Sequence, residues 1–255
     1  MRLERHVATA SRSPPRTPSP AKFWGFHPLR KLRCDANSLL HMEIKESETG
    51  LFTARWKSGH TVVLARAAGP RSLPVRRENA SRCSLFVTLL PTSGQSKLLD
   101  GVVASALSGA LGAVICAGFN PRTGVTVSTQ VLRDDGGVVA AALNAAVCAL
   151  LSSGVPMRCI LAATSVSISH AGGLQLHPTT EEEASAAGCL TFAFRIGDDC
   201  SSRGCVLAML TAGHASAEHT MAAMDAARLA VAATAKEIRQ AVAQRIGTWK
   251  MCELA

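Results

Sequence analysis

The residues of this chain best suited to chemistry fall in four places. They are Lys97; His177, with Glu181, Glu182 and Glu183 just after it; Asp134 and Asp135 ahead of two glycines; and the arginines Arg71, Arg76, Arg77 and Arg82. A lysine offers a phosphate a compact point charge, whereas an arginine fork would hold two of its oxygens. Histidine and carboxylates are donor types for a divalent ion, but a lone histidine does not make a metal site, and none is expected. The arginines have no aromatic residues between them, which suits contact with a polyanion's backbone rather than its bases. A solvated loop salt-bridged to a neighbour is an equally open reading of the same run. Asp134 and Asp135 are expected to shape a turn and to favour the positive start of the helix after it. Asn144, inside an apolar run, is expected to hydrogen-bond internally, and His214 and His219 to be structural.

These groups need a fold to hold them, and 255 residues at 47% hydrophobic and 18% charged content can bury a core. Tyrosine is absent, and phenylalanine and tryptophan are sparse, so small side chains must close that core. No apolar run is long enough to span a bilayer, and no membrane association is expected. Net charge is +9 and uneven: residues 1–82 carry sixteen Arg or Lys against six acids, and the rest of the chain eleven against twelve. Such asymmetry favours a polyanionic partner. The nine cysteines form no CxxC pair, so neither a disulfide framework nor structural zinc is expected. Cys116, Cys148 and Cys159 sit in apolar segments as small hydrophobes.

Residues 1–27, with SPPRTPSP at their centre, read as a basic, disordered tail. The folded part is expected over 28–255, in halves at about 28–157 and 158–255. Strands are expected at Leu51–Trp56, Thr61–Ala68 and Ser84–Leu90, with Gly69–Pro70 ending the second. A helix over Leu98–Gly118 follows, its glycines allowing close packing. The alternation of Val125, Val127, Thr129 and Val131 predicts a strand over Thr123–Leu132. After a turn at Gly136–Gly137 comes a helix over Val138–Leu151. Strands at Ile160–Ser169, Leu174–Leu176, Leu190–Arg195 and Cys205–Leu210 follow, with a polar connection at Glu181–Glu183. A long helix over His219–Ile246 closes an α+β fold.

Four segments in this order resemble the ribonuclease PH family. They are TGLFTARWKSGHTVVLARAAGP (49–70), NPRTGVTVSTQVLRDDGG (120–137), ALNAAVCALLSSGVPMR (142–158) and SVSISHAGGLQLHPTTEEEA (165–184). Within the family, DANSLL (35–40), LLP (89–91) and GVPMRCILAATSVSI are similar to Rrp46-type core subunits of the eukaryotic RNA exosome. The resemblance implies the ribonuclease PH fold, two fused β/α halves with mixed sheets and packed helices. It implies partners: other ribonuclease PH-like subunits in a hetero-hexameric ring, RNA-binding cap subunits, and RNA. Nucleus, nucleolus and cytoplasm are the compartments it suggests.

Active members of the family cleave RNA with phosphate, and the resemblance places their phosphate grip at 93–97 and an essential acid in a Leu-Asp-Leu segment. Here the first reads Ser-Gly-Gln-Ser-Lys without an arginine, and His177 is taken to stand for the acid. Lys97, His177 and Glu182 are therefore candidates for a degenerate site, and no catalytic residue and no cofactor is expected. The expected role is a non-catalytic ring subunit supporting 3′-to-5′ RNA processing and degradation, rRNA maturation included. RNA contacts are assigned to Arg71, Arg76, Arg77, Arg82 and Lys97. The alternatives are a divergent phosphate-dependent 3′-to-5′ exoribonuclease and a protein-interaction module without RNA contact.

Overall fold

The computed structural model describes residues 41–47, 51–92, 98–196 and 205–253. The basic tail, Arg30, Lys31 and Arg33, and the loop 93–97 with Lys97 lie outside the described residues.

The first sheet begins with three antiparallel strands, β1 (His41–Ser47), β2 (Leu51–Ser58) and β3 (Thr61–Ser72). β4 (Ser84–Leu90) leads into helix α1 (Leu98–Val114), and β5 (Thr123–Arg133) then inserts between β3 and β4. It runs antiparallel to β3 and parallel to β4, giving the order β1-β2-β3-β5-β4. Helix α2 (Val138–Ser152) leads to the second sheet, made of β6 (Ile160–Ser169), β7 (Leu174–Leu176), β8 (Ala186–Ile196) and β9 (Cys205–Gly213). Its order is β7-β6-β8-β9, antiparallel throughout; the short helix α3 (Thr180–Ala184) precedes β8, and α4 (Ala217–Glu253) closes the chain. The α+β architecture of sheets and packed helices is the one the sequence implies, the first sheet being the mixed one.

The core is organised around α2, which packs on β2, β3 and β5 of one sheet and on β6 and β8 of the other. Every residue from Ala140 to Leu150 is buried. A helix apolar on all sides belongs between two layers, and its alanines let both sheets approach closely. Alternating side chains of the first sheet face it, among them Ala54, Trp56, Ala65, Val127 and Val131. Cys148 is wholly buried there, and burial pushes its thiol far above the ordinary value. β6 is buried on both faces from Leu161 to Ile168, as a strand covered by helices must be. α4 seats Ala223, Ala227, Val231, Ala235 and Ile238 on that side at helical spacing.

One polar residue completes this arrangement. β7 pairs only with Val166–Ile168, so nearer its start β6 has no strand on that side among the described residues. There the Asn144 amide takes the place of a strand, donating to the Ala163 carbonyl at 2.9 Å and accepting its N–H at 2.8 Å. The internal role expected for Asn144 is thus a bridge from α2 to β6.

Several local expectations change. β1 had no reading in the sequence. β3 continues through Gly69–Pro70 to Ser72, because a register shift between Ala68 and Arg71 accommodates the proline that a regular ladder would exclude. α1 stops at Val114, four residues early: Ile115 forms an antiparallel bridge with Met157, and the Cys116 N–H donates to the Pro156 carbonyl at 2.9 Å. The glycines of α1 do not mark a close approach, since nothing lies within 4 Å of a Cβ built on Gly101, Gly109 or Gly112. Glu181–Glu183 are not a connection but belong to α3.

Asn144→Ala should destabilise the chain by about 2–4 kcal/mol, because it strands two buried backbone groups of Ala163 at once; urea unfolding of the purified chain measures this. Gly109→Ala should stabilise it by roughly 0.5–1 kcal/mol by the same assay, as a helix-interior glycine with open space around it.

Candidate functional site

The turn between β5 and α2 is where the acids, the glycines and the Glu181–Glu183 cluster meet. Asp134 Oδ1 accepts the Gly136 N–H at 3.1 Å, closing a turn of its own. From the β2–β3 hairpin, Thr61 Oγ1 donates to the Gly136 carbonyl at 2.7 Å and accepts the Asp135 N–H at 3.0 Å. Gly136 and Gly137 have φ of +93° and +62°. A Cβ on Gly136 would collide with the Pro178 carbonyl, and one on Gly137 would lie 2.7 Å from Ser165 Oγ. Only glycine meets both demands, which is why the pair sits there.

Gly137 is the residue before α2 and has no side chain with which to cap it. The cap comes instead from α3: Glu183 Oε1 accepts the Gly137 N–H at 2.8 Å. A helix N-terminus attracts anions through its unpaired N–H groups and its dipole. In this fold a carboxylate of the chain itself occupies that position. Burial holds the Glu183 carboxyl above its ordinary value; the Gly137 hydrogen bond opposes the shift, and the charge on Asp134 adds to it.

The neighbouring candidates are equally engaged. Glu182 Oε2 accepts the Thr179 N–H at 3.0 Å while Thr179 Oγ1 accepts the Glu182 N–H at 3.4 Å, a reciprocal capping box at the start of α3. Glu182 Oε1 takes a 3.4 Å hydrogen bond from Gln175 Nε2, and Gln175 Oε1 accepts from Ser167 Oγ at 3.3 Å. Gln175 is the residue that sequence reasoning missed. It is the middle of Leu174–Leu176, and it, rather than His177, meets the acids; the Leu-x-Leu spacing was the available signal. His177 follows the strand with φ of +53°, its N–H donating to the Ser165 carbonyl at 3.0 Å. Burial pushes its imidazole below the ordinary value, so it is neutral at pH 7 and offers no charge to a phosphate. Among the described residues, no three His, Cys, Asp or Glu side chains come together as a metal ion would require.

The arginines lie elsewhere. Arg71 is in register with Gly124 at the start of β5, whereas Val62 is in register with Arg133 at its end. Those positions are about 30 Å apart along the strand, so the loop is at the far end of the sheet from Glu183. Arg76 and Arg77 lie in a short 3-10 turn, Val75–Arg77, and all four arginines are exposed. The loop's one acid, Glu78, pairs with Arg122 at 3.4 Å, and none of the four arginines forms an ion pair among the described residues. The salt-bridged reading of the loop therefore finds no partner within the described chain.

The raised Glu183 carboxyl makes a pH-dependent prediction. A native state that holds a proton more tightly than the unfolded chain loses stability as pH rises above the unfolded value. Glu183→Gln keeps an acceptor for Gly137 but removes the charge. Its urea midpoint should match wild type near about pH 4 and exceed it near about pH 7. A gap constant with pH would contradict the buried, charge-bearing cap.

Comparison with known proteins matches residues 42–156 to the 3′ exoribonuclease family, domain 1, known as RNase PH. The chain is 32% identical over 155 residues to the exosome complex exonuclease RRP46 homolog of Arabidopsis thaliana, a match covering 61% of this chain and 62% of that protein. It is 32% identical over 109 residues to the exosome complex component rrp46 of Schizosaccharomyces pombe, covering 42% of this chain and 48% of that one. These matches thus span from about half to 62% of the relatives' length. The crystal structure of rice (Oryza sativa) Rrp46 superposes with a TM-score of 0.72 over 80% of this chain and 94% of that chain, at 22% identity, and shares the fold.

Proposed function

We propose, from the match of residues 42–156 to the ribonuclease PH family and the likeness to Rrp46-type exosome subunits, that this chain is a non-catalytic core ring subunit of an RNA exosome. In this reading it supports 3′-to-5′ RNA processing and degradation, rRNA maturation included, by assembling with other ribonuclease PH-like subunits and RNA-binding cap subunits. It would work in the nucleus, the nucleolus and the cytoplasm. The arginines at Arg71, Arg76, Arg77 and Arg82 would guide the RNA backbone electrostatically, with Lys97 as a further contact.

The observation that carries the non-catalytic reading is the Glu183 carboxylate on the Gly137 N–H. Phosphorolysis must hold an inorganic phosphate beside the scissile ester; the segment 93–97 expected to do so carries no arginine, and the N-terminus of α2 would be a second cradle. A phosphate entering there would have to displace Glu183 and then sit beside Asp134, so charge repulsion opposes it. The neutral His177 offers no compensating cation, and Glu182 is committed to its capping box and to Gln175. An exoribonuclease using Lys97, His177 and Glu182 remains the competing reading.

The deciding experiment incubates labelled RNA with phosphate and magnesium and measures nucleoside diphosphate release, using both the purified chain and its assembled complex. This reading expects no release that depends on this subunit, and no change on His177→Ala. Phosphate-dependent release lost in that variant would establish the enzyme instead.

A further inference from the structure

No aromatic residue lies among the loop arginines in sequence, but the fold brings one to them. The arginine loop, residues 71–83, is clasped to the loop between α1 and β5. The Cys83 N–H donates to the Ala117 carbonyl at 2.7 Å, and the Arg122 N–H donates to the Asn79 carbonyl at 3.0 Å. Arg122 Nε pairs with Glu78 at 3.4 Å, and the Leu73 side chain lies over Gly124, where a Cβ would meet it at 2.8 Å. Between these anchors is Phe119, its N–H donating to the Cys116 carbonyl at 3.2 Å. The next carbonyl, that of Asn120, accepts from Thr123 Oγ1 at 2.7 Å. Phe119 follows Ala117 by two residues and precedes Arg122 by three, so it lies within about 7 Å of one clasp and about 11 Å of the other. Its side chain is 75% exposed. Of the six aromatic side chains described, Phe52, Trp56, Phe86, Phe192 and Phe194 are buried or half-buried, and Phe119 alone is exposed.

We propose that Phe119 is a stacking platform for a base of single-stranded RNA whose phosphates are held by the arginine loop. The inference rests on the RNA-guiding role put forward above and adds a base contact to it. A lone exposed phenyl ring carries no meaning by itself; its company does. The two clasped loops carry Arg71, Arg76, Arg77, Arg82 and Arg122 against one acid, Glu78, which Arg122 engages. That balance favours a polyanion, and the exposed ring calls for a partner with flat apolar faces. Single-stranded nucleic acid has both: cations track its backbone while aromatic rings stack on its bases whatever their identity. The ring is also pre-positioned. Arg122 holds a left-handed φ of +62° just beyond it, fixed by the Asn79 and Glu78 contacts, so the loop's path is set before any ligand arrives. Binding then spends little on ordering the platform. Val75, exposed beside Arg76, offers a second apolar contact on the same loop.

The test uses the full chain with a fluorescein-labelled oligouridylate and an abasic strand of the same length, with anisotropy measured over a salt series. Phe119→Ala should weaken oligouridylate binding by at least about five-fold. It should leave abasic-strand binding unchanged, and with it the slope of log K against log salt, because no charge is lost. Phe119→Trp should restore the affinity. Arg76→Gln with Arg77→Gln should instead weaken both strands and flatten the slope by about 1.4, the counterions of two single-strand phosphates. An unchanged urea midpoint for Phe119→Ala excludes misfolding as the cause. If the arginine variant loses affinity and Phe119→Ala does not, or if Phe119→Ala weakens both strands equally, stacking is overturned while RNA guidance stands. If the wild-type chain binds neither strand, both readings fall. A Phe119→Ala chain that keeps its RNA affinity but no longer joins its ring neighbours would overturn the proposal in favour of a protein contact.

Discussion

The constraint on which the structure depends is the burial of α2 between two sheets. A helix covered on every side can present only side chains small enough for both layers to approach, and Ala140–Leu150 meet that with alanines, valine, leucines, one thiol and the amide of Asn144. Once it is in place, β5 must end and α2 begin within a turn too tight for side chains, which fixes Gly136 and Gly137. The same burial leaves no water to satisfy β6 beyond β7, and Asn144 serves as the missing strand. Core, turn and polar bridge are consequences of one placement.

That hierarchy explains what could be read from the sequence. Alternation gave β5 to within a residue, because it buries one face and nothing competes with the pattern; β4, a short apolar run ended by Pro91, was read to its full extent. The small-residue run gave α2 because a helix buried all round has no polar face to obscure it. Asn144 could be assigned an internal hydrogen bond but not a partner, since that partner is a backbone residue of another element. The miss at α1 has the same origin: its sequence stays compatible with helix through Ile115 and Cys116, but the segment at Pro156–Met157 claims their backbone. β3 defeated the usual meaning of Gly-Pro because a bulge absorbs the irregularity. Propensity describes a segment alone, and these boundaries are set by neighbours.

The candidate site was legible as a set of residues but not as a geometry. Sequence spacing brought His177 and the three glutamates together, and all four are indeed around α3. It could not show that the important relation is between Glu183 and Gly137, residues 46 apart whose meeting depends on how the second sheet docks on α2. Nor could it separate the arginine loop from the acids, because only the register of β5 puts Arg71 and Arg133 at opposite ends of one strand.

This geometry also shows which features of the turn the fold itself requires. The start of α2 has unpaired N–H groups that need an acceptor, whatever supplies it. A bound phosphate would satisfy them only while present, whereas Glu183 does so permanently, held in place because α3 is nucleated by the Thr179–Glu182 capping box. The Gly-Gly turn must be kept in either case, since the Pro178 carbonyl and Ser165 leave no room for a Cβ. Packing alone is therefore enough to keep the Asp-Gly-Gly signature, with an internal carboxylate on the Gly137 N–H. The signature then reports a helix that must begin there, whichever anion faces it.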